Sequence, residues 1–421
     1  MNLICALYFV INISFICAYH IYPVPGVKGL VKSIQYDSKF NIYVTTNSNS
    51  STIFYKINPT KTIVYQAKNL RNIQKILIST SDNIYLFDQY ERFKEAIYTF
   101  TPDSTTLTKI HEYSLIASVA RQTFYCKSVQ LLDNADNLYF NTGYGIGMIK
   151  VNETIPRAIL GLEYFWIDDD STHAVSNGNV YLGGSNLTTD PLIATITTDQ
   201  QRYSVPNAYI SRPLDLTINE KISLTGMKPY PNNGVFIGIS GNQARLLNGG
   251  VYSVGVLLSQ YQHDYINFYS DTYNFYFFSV NLFNGECYLN YARNVQQSWA
   301  IVRNPHVFES DICYNALKAS DSVGNFFFAY GTQVFTLRSN DTDVEKITFL
   351  NEPSYNISSI MFDKNDSLWI VAGDLYEVKK DSAEANQLTH SAVGIQKGLL
   401  KMYKHNEILI GTDYGLYVFS N

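Results

Sequence analysis

The chain has 421 residues, of which 46% are hydrophobic and only 16% are charged, and its formal net charge is −5. This composition excludes an intrinsically disordered chain, because such chains combine low hydrophobicity with high net charge. Lysines and arginines are scattered singly, which argues against a nucleic-acid-binding surface and a polybasic membrane patch. The 34 tyrosines and 24 phenylalanines favour β-strands, since aromatic side chains suit a pleated, half-buried surface.

The first 18 residues have the character of a secretory signal peptide. An apolar run spans residues 3–18 and is too short for a comfortable membrane span. Ala18 places a small residue just before a cleavage point ahead of Tyr19. We therefore expect residues 1–18 to be removed and residues 19–421 to form a secreted, extracellular protein of one domain. No second hydrophobic segment follows, so we expect no membrane span.

Asn-x-Ser/Thr sequons predict N-glycosylation of the secreted chain, because a glycan is accommodated where a sequon lies beside a surface turn. Most of the six sequons after residue 18 lie next to predicted turns. The six asparagines are Asn49, Asn152, Asn186, Asn340, Asn356 and Asn365.

Three cysteines remain once the signal peptide is removed: Cys126, Cys287 and Cys313. An odd number allows at most one internal disulfide and leaves one thiol over. Cys287 and Cys313 are the nearest pair and would join two adjacent repeats. The alternative is three free cysteines that behave as small buried hydrophobic residues.

One short strand, entered through a polar turn, is repeated along the chain. It begins at Asn41, Asn83, Asn137, Asn179, Gly234, Asn274, Asn325, Ser367 and Glu407. The spacing averages about 46 residues, which is in the range of four-stranded propeller blades. These strands are apolar on both faces, as strands inside a sheet that packs between two other sheets must be.

An aspartate stands four residues before several of these strands. The aspartates are Asp37, Asp133, Asp321 and Asp363. An aspartate side chain can accept a hydrogen bond from the backbone two residues on, and asparagine tolerates left-handed backbone, so the pattern predicts tight turns between antiparallel strands. A metal-binding role is the alternative. Repetition once per unit, without further ligands nearby, favours the turns.

A glycine-led second strand follows in most units, and a polar edge strand ends several of them. The last unit supplies only three strands, whereas residues 19–24 form a strand without a unit of its own. Pairing the two would close a ring and remove open sheet edges. The sequence therefore predicts an all-β fold: a single β-propeller of eight or nine four-stranded blades, closed by its N-terminal strand. Two smaller abutting rings are the alternative.

No catalytic or cofactor motif stands out, so we predict no catalytic residues, no metal site and no cofactor. The densest polar group is Asp168, Asp169, Asp170 and His173, which follows Trp166. It can be read as a cation or proton-transfer site, but a solvated loop is the favoured interpretation. Trp166, Trp299, Trp369 and the many tyrosines could line a cavity for a planar ligand. For any one of them, packing between blades is the simpler role, and no ligand-binding residue is assigned.

The signal peptide, the Asn-led aromatic strands and hairpins such as GLYVF at 415–419 together resemble the insect ommochrome-binding proteins. That resemblance implies a secreted, propeller-like protein that binds a planar, tryptophan-derived pigment in haemolymph. The yellow and major royal jelly proteins are similar in length and secretion, but their motifs are not found here. Regucalcin-like lactonases hold a metal through side chains from different blades, which sequence spacing cannot reveal.

We therefore expect a secreted binding protein for a small aromatic ligand or pigment, rather than an enzyme. A metal-dependent, lactonase-like hydrolase and a protein-interaction propeller without a small ligand are the alternatives. The expected partners are a small aromatic molecule or a protein, with no nucleic acid.

Overall fold

In the computed structural model, almost all of the secondary structure of the described residues is β-strand. The residues that it describes are 20–48, 51–91, 94–102, 104–114, 130–142, 145–151, 153–163, 165–167, 173–176, 179–186, 189–196, 202–204, 224–230, 234–239, 243–248, 251–252, 256–257, 263–270, 274–281, 284–293, 302–389, 398–404 and 407–420.

The chain clusters into two compact units, Met1–Lys68 with Phe349–Asn421 (unit 1) and Asn69–Thr348 (unit 2). The strands that begin in the N-terminal part of unit 1 are β1 (His20–Pro23), β2 (Leu30–Tyr36), β3 (Ile42–Ser48), β4 (Ser51–Ile57) and β5 (Ile63–Leu70).

The described residues of unit 2 follow with strands β6 to β31 and one short helix. The strands up to residue 204 are β6 (Ile73–Ile78), β7 (Ile84–Glu91), β8 (Lys94–Phe100), β9 (Thr108–Ser114), β10 (Gln130–Leu132), β11 (Leu138–Thr142), β12 (Gly145–Ile149), β13 (Arg157–Glu163), β14 (Phe165–Ile167), β15 (His173–Ser176), β16 (Asn179–Asn186), β17 (Thr189–Ile196) and β18 (Arg202–Ser204). The later ones are β19 (Leu224–Tyr230), β20 (Gly234–Ile239), β21 (Gln243–Asn248), β22 (Val251–Tyr252), β23 (Val256–Leu257), β24 (His263–Ser270), β25 (Asn274–Asn281), β26 (Cys287–Arg293), β27 (Val302–Phe308), α1 (Ser310–Asn315), β28 (Leu317–Ser320), β29 (Phe326–Tyr330), β30 (Gln333–Leu337) and β31 (Glu345–Lys346).

The remaining strands complete unit 1. They are β32 (Thr348–Phe349), β33 (Ser359–Phe362), β34 (Leu368–Ala372), β35 (Asp374–Val378), β36 (Glu384–Gln387), β37 (Leu399–Lys404), β38 (Glu407–Gly411) and β39 (Leu416–Ser420).

The described strands form nine antiparallel sheets, and most are four-stranded meanders whose strands pair in chain order. The predicted all-β propeller fold is therefore confirmed. Three sheets have five strands: in one the first strand is split into β14 and β15, in another the last is split into β22 and β23, and β32 is added to the edge of a third. The number of blades, and one domain over residues 19–421, stay predictions.

The nine repeated strands predicted from the sequence are confirmed as the second strands of their sheets. In β3 the first five residues are buried, and every residue of β34 is buried. Apolar side chains on both faces fit this position, because neighbouring sheets cover both sides. In unit 1, for example, Trp369 and Val371 of one sheet pack with Ile408, Ile410 and Phe419 of the next.

The predicted pairing of the N-terminal strand with the last unit is confirmed. β1 pairs antiparallel with β39, and Ile21 lies opposite Phe419. The C-terminal sheet thereby gains its fourth strand, in the order β1-β39-β38-β37. Without β1 the backbone of β39 would be an unpaired sheet edge.

Candidate functional site

The turn before β3 is built around the carboxylate of Asp37. Its Oδ1 accepts hydrogen bonds from the backbone N–H groups of Lys39 at 3.0 Å and Asn41 at 2.7 Å. Its Oδ2 accepts from the Asn41 amide at 2.8 Å and from the Tyr43 hydroxyl at 2.9 Å. Each carboxylate oxygen thus accepts two hydrogen bonds from the turn, so this aspartate shapes a turn instead of binding a metal.

The same arrangement returns in other sheets, which confirms the turn interpretation. Asp133 repeats all four contacts with Ala135, Asn137 and Tyr139. Asp321 and Asp363 likewise accept from the backbone two and four residues on.

The fourth residue of each turn has a left-handed backbone, as the bulge that closes a three-residue hairpin loop requires. In the corresponding turns before β7, β11, β29 and β34 this residue is aspartate or glycine: Asp82 (φ 63°), Asp136 (φ 62°), Gly324 (φ 83°) and Asp366 (φ 62°). In the turn before β3 it is Phe40, with φ 61°. A bulky residue there is an outlier, because left-handed backbone crowds any side chain with a Cβ.

Phe40 belongs to a half-buried group of side chains in unit 1 that we call the aromatic–lysine cluster. Its members are Tyr36, Phe40, Lys61, Lys401, Tyr403 and Lys404. They come from the end of β2, from the turns after β2 and β4, and from β37. Lys61 is itself at a left-handed position (φ 67°), in a turn organised by hydrogen bonds to Asn58.

The three rings of the cluster are in mutual contact. Tyr36 and Phe40 are stacked, with ring centroids 6.2 Å apart and an angle of 19° between the planes. Tyr403 meets each of them edge-on at 5.7 Å. The Tyr403 hydroxyl donates to the Phe40 carbonyl, which holds the turn against β37. Phe40 is 39% exposed whereas Tyr403 is buried, so Phe40 presents its ring to solvent on a fixed support.

Each ring also has a lysine ammonium near its face. Lys61 Nζ lies 3.9 Å from the centre of the Tyr403 ring, and Lys401 Nζ lies 5.8 Å from that of Tyr36. Lys404 Nζ lies 5.6 Å from the centre of Phe40 and 5.3 Å from that of Tyr403. These distances are within the range of cation–π attraction.

Burial shifts the proton affinities of the cluster. Desolvation lowers the pKa of Lys401, and it lowers that of Lys61 despite the nearby Glu407. Burial, followed by the charges of Glu407 and Asp37, raises the pKa of Tyr403 well above its ordinary value. Tyr403 therefore stays a neutral hydrogen-bond donor, which suits a supporting role and not acid–base chemistry near neutral pH.

The other candidates from the sequence are placed as follows. Trp369 is buried, donates its indole N–H to Asp363 at 3.1 Å and packs edge-on against Phe419, so it serves packing. Asp168, Asp169, Asp170 and Trp299 lie outside the described residues, and Trp166 and His173 lie in β14 and β15. Among the described residues, no group of three His, Cys, Asp or Glu side chains is placed to hold a metal ion.

Exposed asparagines occupy three of the six sequons. Asn340 and Asn365 lie in exposed turns and Asn356 in an exposed loop, while Asn186 ends β16. Asn49 and Asn152 lie outside the described residues. Glycosylation of all six stays a prediction.

A disulfide joins Cys287 on β26 to Cys313 on α1, with the two Cα atoms 5.7 Å apart. Cys126 is outside the part of the chain that the structure describes.

The aromatic–lysine cluster was missed at the sequence level. A signal was nevertheless present: the fourth turn residue is aspartate or glycine in the other turns and phenylalanine at position 40. The lysines of β37 carry no comparable signal, because their approach to these rings depends on how two sheets pack.

The chain matches no protein-family model and no curated protein. Among solved structures it is similar to a streptogramin B lyase, at 10% identity and a TM-score of 0.42, over 96% of this chain and 97% of that one. It is also similar to the WD40 domain of SCAP from fission yeast, at 9% identity and a TM-score of 0.46, over 96% and 98% of the two chains. For Sqt1 of Saccharomyces cerevisiae the identity is 9% and the TM-score 0.49, over 95% and 97%.

Likenesses at this level carry no argument about activity, and the propeller assignment rests on the sheets themselves. The resemblance to ommochrome-binding proteins stays a hypothesis. Within the described residues, no helix is long and apolar enough to cross a membrane.

Proposed function

We propose that this protein is a secreted, non-catalytic binding protein that holds a small aromatic ligand at its aromatic–lysine cluster. The observation that carries the proposal is Phe40, an exposed ring on left-handed backbone. Such backbone costs an L-residue about 1–2 kcal/mol. Strained positions of this kind concentrate at functional sites, where the conformation is part of the mechanism.

The packing around Phe40 supports a binding role. Tyr36 stacks on the ring and Tyr403 supports both from the edge, so the solvent-facing side of Phe40 is rigid. A rigid aromatic surface favours stacking of a planar ligand, because little side-chain entropy is lost on binding. Lysine ammonium groups at its border can orient polar groups of the ligand.

The resemblance to ommochrome-binding proteins suggests a tryptophan-derived pigment as this ligand. The flat, fused ring system of such a pigment is a group that can stack on the exposed Phe40 ring.

Secretion is supported by the apolar run of residues 3–18 and by the disulfide between Cys287 and Cys313. Disulfides form and persist in oxidising compartments and are rare in the cytosol. A secreted pigment carrier would be exposed to such an environment.

The lactonase-like alternative has no support among the described residues, where no metal-holding group is found. Binding of a protein partner in place of a small ligand stays the second alternative. It predicts no saturable change in the spectrum of any small pigment.

The proposal is tested by titrating the protein with xanthommatin and following pigment absorbance and protein fluorescence. We expect saturable binding by the natural chain and at least about fivefold weaker binding by Phe40→Asn, since loss of one stacking ring is worth about 1 kcal/mol or more. Asparagine tolerates the left-handed backbone, so this variant keeps the turn intact.

The matched control is Tyr414→Asn, which removes an exposed ring from another loop of unit 1 and should leave binding unchanged. Absence of saturable binding, or equal affinity of Phe40→Asn and the natural chain, would contradict the proposal.

A further inference from the structure

We infer that the ligand of the aromatic–lysine cluster is an acid, and that Lys401 and Lys404 bind its anionic group beside the rings. This inference rests on the proposed function and adds the chemical class of the ligand to it.

The lysines of the cluster exceed its free carboxylates. Lys61 is neutralised by Glu407, with Nζ and Oε2 2.8 Å apart. The Asp37 carboxylate is occupied within its own turn. Among the described residues, no carboxylate forms an ion pair with Lys401 or Lys404. Within the part of the chain that the structure describes, these two ammonium groups therefore have no carboxylate as an ion-pair partner.

The surroundings of these two lysines favour the binding of an anion. Lys401 is partly buried, and burial of an ammonium without a counter-charge is unfavourable. Lys61 and Lys404 also share the Tyr403 ring, with Nζ atoms 3.9 Å and 5.3 Å from its centre, so their positive charges repel each other. A bound carboxylate or sulfonate would relieve both effects.

The rings define where the rest of the ligand lies. Lys401 and Lys404 are held 5.3–5.8 Å from the ring centres of Tyr36, Phe40 and Tyr403. A group bound to these ammonium groups is thus at the border of the aromatic surface. An acid group attached directly to a planar ring system satisfies both contacts, whereas an aliphatic acid leaves the exposed Phe40 ring uncovered.

Two dyes that share one aromatic system separate the two contributions. 8-Anilinonaphthalene-1-sulfonate carries an acid group, and N-phenyl-1-naphthylamine lacks it. We expect the natural chain to bind the sulfonate at least about tenfold more tightly in a fluorescence titration, since only the sulfonate can accept charge-assisted hydrogen bonds from the two ammonium groups.

The double variant Lys401→Gln/Lys404→Gln should lose most of that preference and keep its affinity for the neutral dye. Lys379→Gln, which changes an exposed lysine of the same unit, is the matched control and should bind both dyes like the natural chain. Phe40→Asn should weaken both dyes alike. Equal melting temperatures of all variants would show that each is folded.

The outcomes distinguish the two proposals. Equal affinity of the natural chain for both dyes, or an unchanged sulfonate affinity in the double variant, overturns the acid inference while the aromatic site stands. If neither dye binds in a manner that depends on Phe40, and xanthommatin does not bind, the proposed function fails and the acid inference fails with it.

Discussion

In three of the turns, the left-handed residue joins one sheet to the next. In unit 1 this residue is Phe40, and its carbonyl oxygen accepts a hydrogen bond from the Tyr403 hydroxyl. In unit 2 the carbonyl of Gly324 accepts from the Tyr276 hydroxyl at 2.9 Å. At Asp136 the side chain takes over this role and accepts from the backbone and hydroxyl groups of Thr80 and Ser81. One turn position thus combines local backbone demands with contacts between sheets.

Asp136 gives a pH-dependent prediction. Burial raises the pKa of its carboxyl group, but the hydrogen bonds from Thr80 and Ser81 outweigh this and hold the pKa below its ordinary value. A carboxylate with a lowered folded-state pKa stabilises the fold above its unfolded pKa of about 3.9, and the stabilisation is lost as the pH falls through the folded pKa.

We expect Asp136→Asn to lower the free energy of unfolding by about 1–3 kcal/mol at pH 7, since charged hydrogen bonds are lost. Asparagine accepts the left-handed backbone, so the turn itself is retained. The difference from the natural chain, measured by urea denaturation, should shrink below about pH 4 as the natural carboxylate is protonated. A difference that is constant from pH 3 to pH 7 would assign the effect to shape instead of charge.

At the scale of elements, the sheets are stabilised by burial on both faces of their second strands. The strand β1 shows the same principle at a sheet edge. Ile21 packs, partly buried, against the core that Trp369 and Phe419 share, whereas Tyr22, the next residue, is exposed. Successive strand residues point to opposite faces, so the two neighbours provide a matched comparison.

We expect Ile21→Asp to destabilise unit 1 by about 2–3 kcal/mol, because it places a charge without a partner in an apolar contact. Tyr22→Asp, on the exposed face of the same strand, should change stability by less than about 1 kcal/mol. Chemical denaturation followed by tryptophan fluorescence checks this, because Trp369 lies in the same core. Equal effects of the two substitutions would argue against the pairing of β1 with β39.

At the scale of the whole molecule, the nine described sheets repeat one plan with local departures. Loops and turns between strands carry the variable chemistry, as expected of connecting segments on a protein surface. The Phe40 turn is one such departure, and the sequons are another.

Expression in a secretory eukaryotic host should attach glycans to Asn340, Asn356 and Asn365, because all three are exposed outside strands. Each Asn→Gln variant should remove one glycan, as seen by intact-mass measurement before and after enzymatic deglycosylation. If none of these three asparagines carries a glycan, both the surface interpretation and the proposed secretion are contradicted.

The sequence by itself determined the strand plan, because period-2 burial, aspartate-led turns and glycine hairpins are local properties. Patterns within a few residues predicted each repeated strand and the turn around Asp37. The strand missing from the last unit predicted its pairing with the N-terminal strand. Five-stranded sheets were not foreseen, since splitting a strand into β14 and β15 leaves the hydrophobic pattern almost unchanged.

The aromatic–lysine cluster was decided by tertiary structure alone. Tyr36 and Lys401 are far apart in the chain, and their approach depends on the packing of the first sheet against the C-terminal one in unit 1. Sequence spacing reports neighbours within a turn or a strand, whereas side chains that meet between sheets are brought together by burial of the apolar strands behind them. The repeat could therefore be predicted from the order of residues in the chain, whereas the candidate site could be found only from the positions of residues in the folded structure.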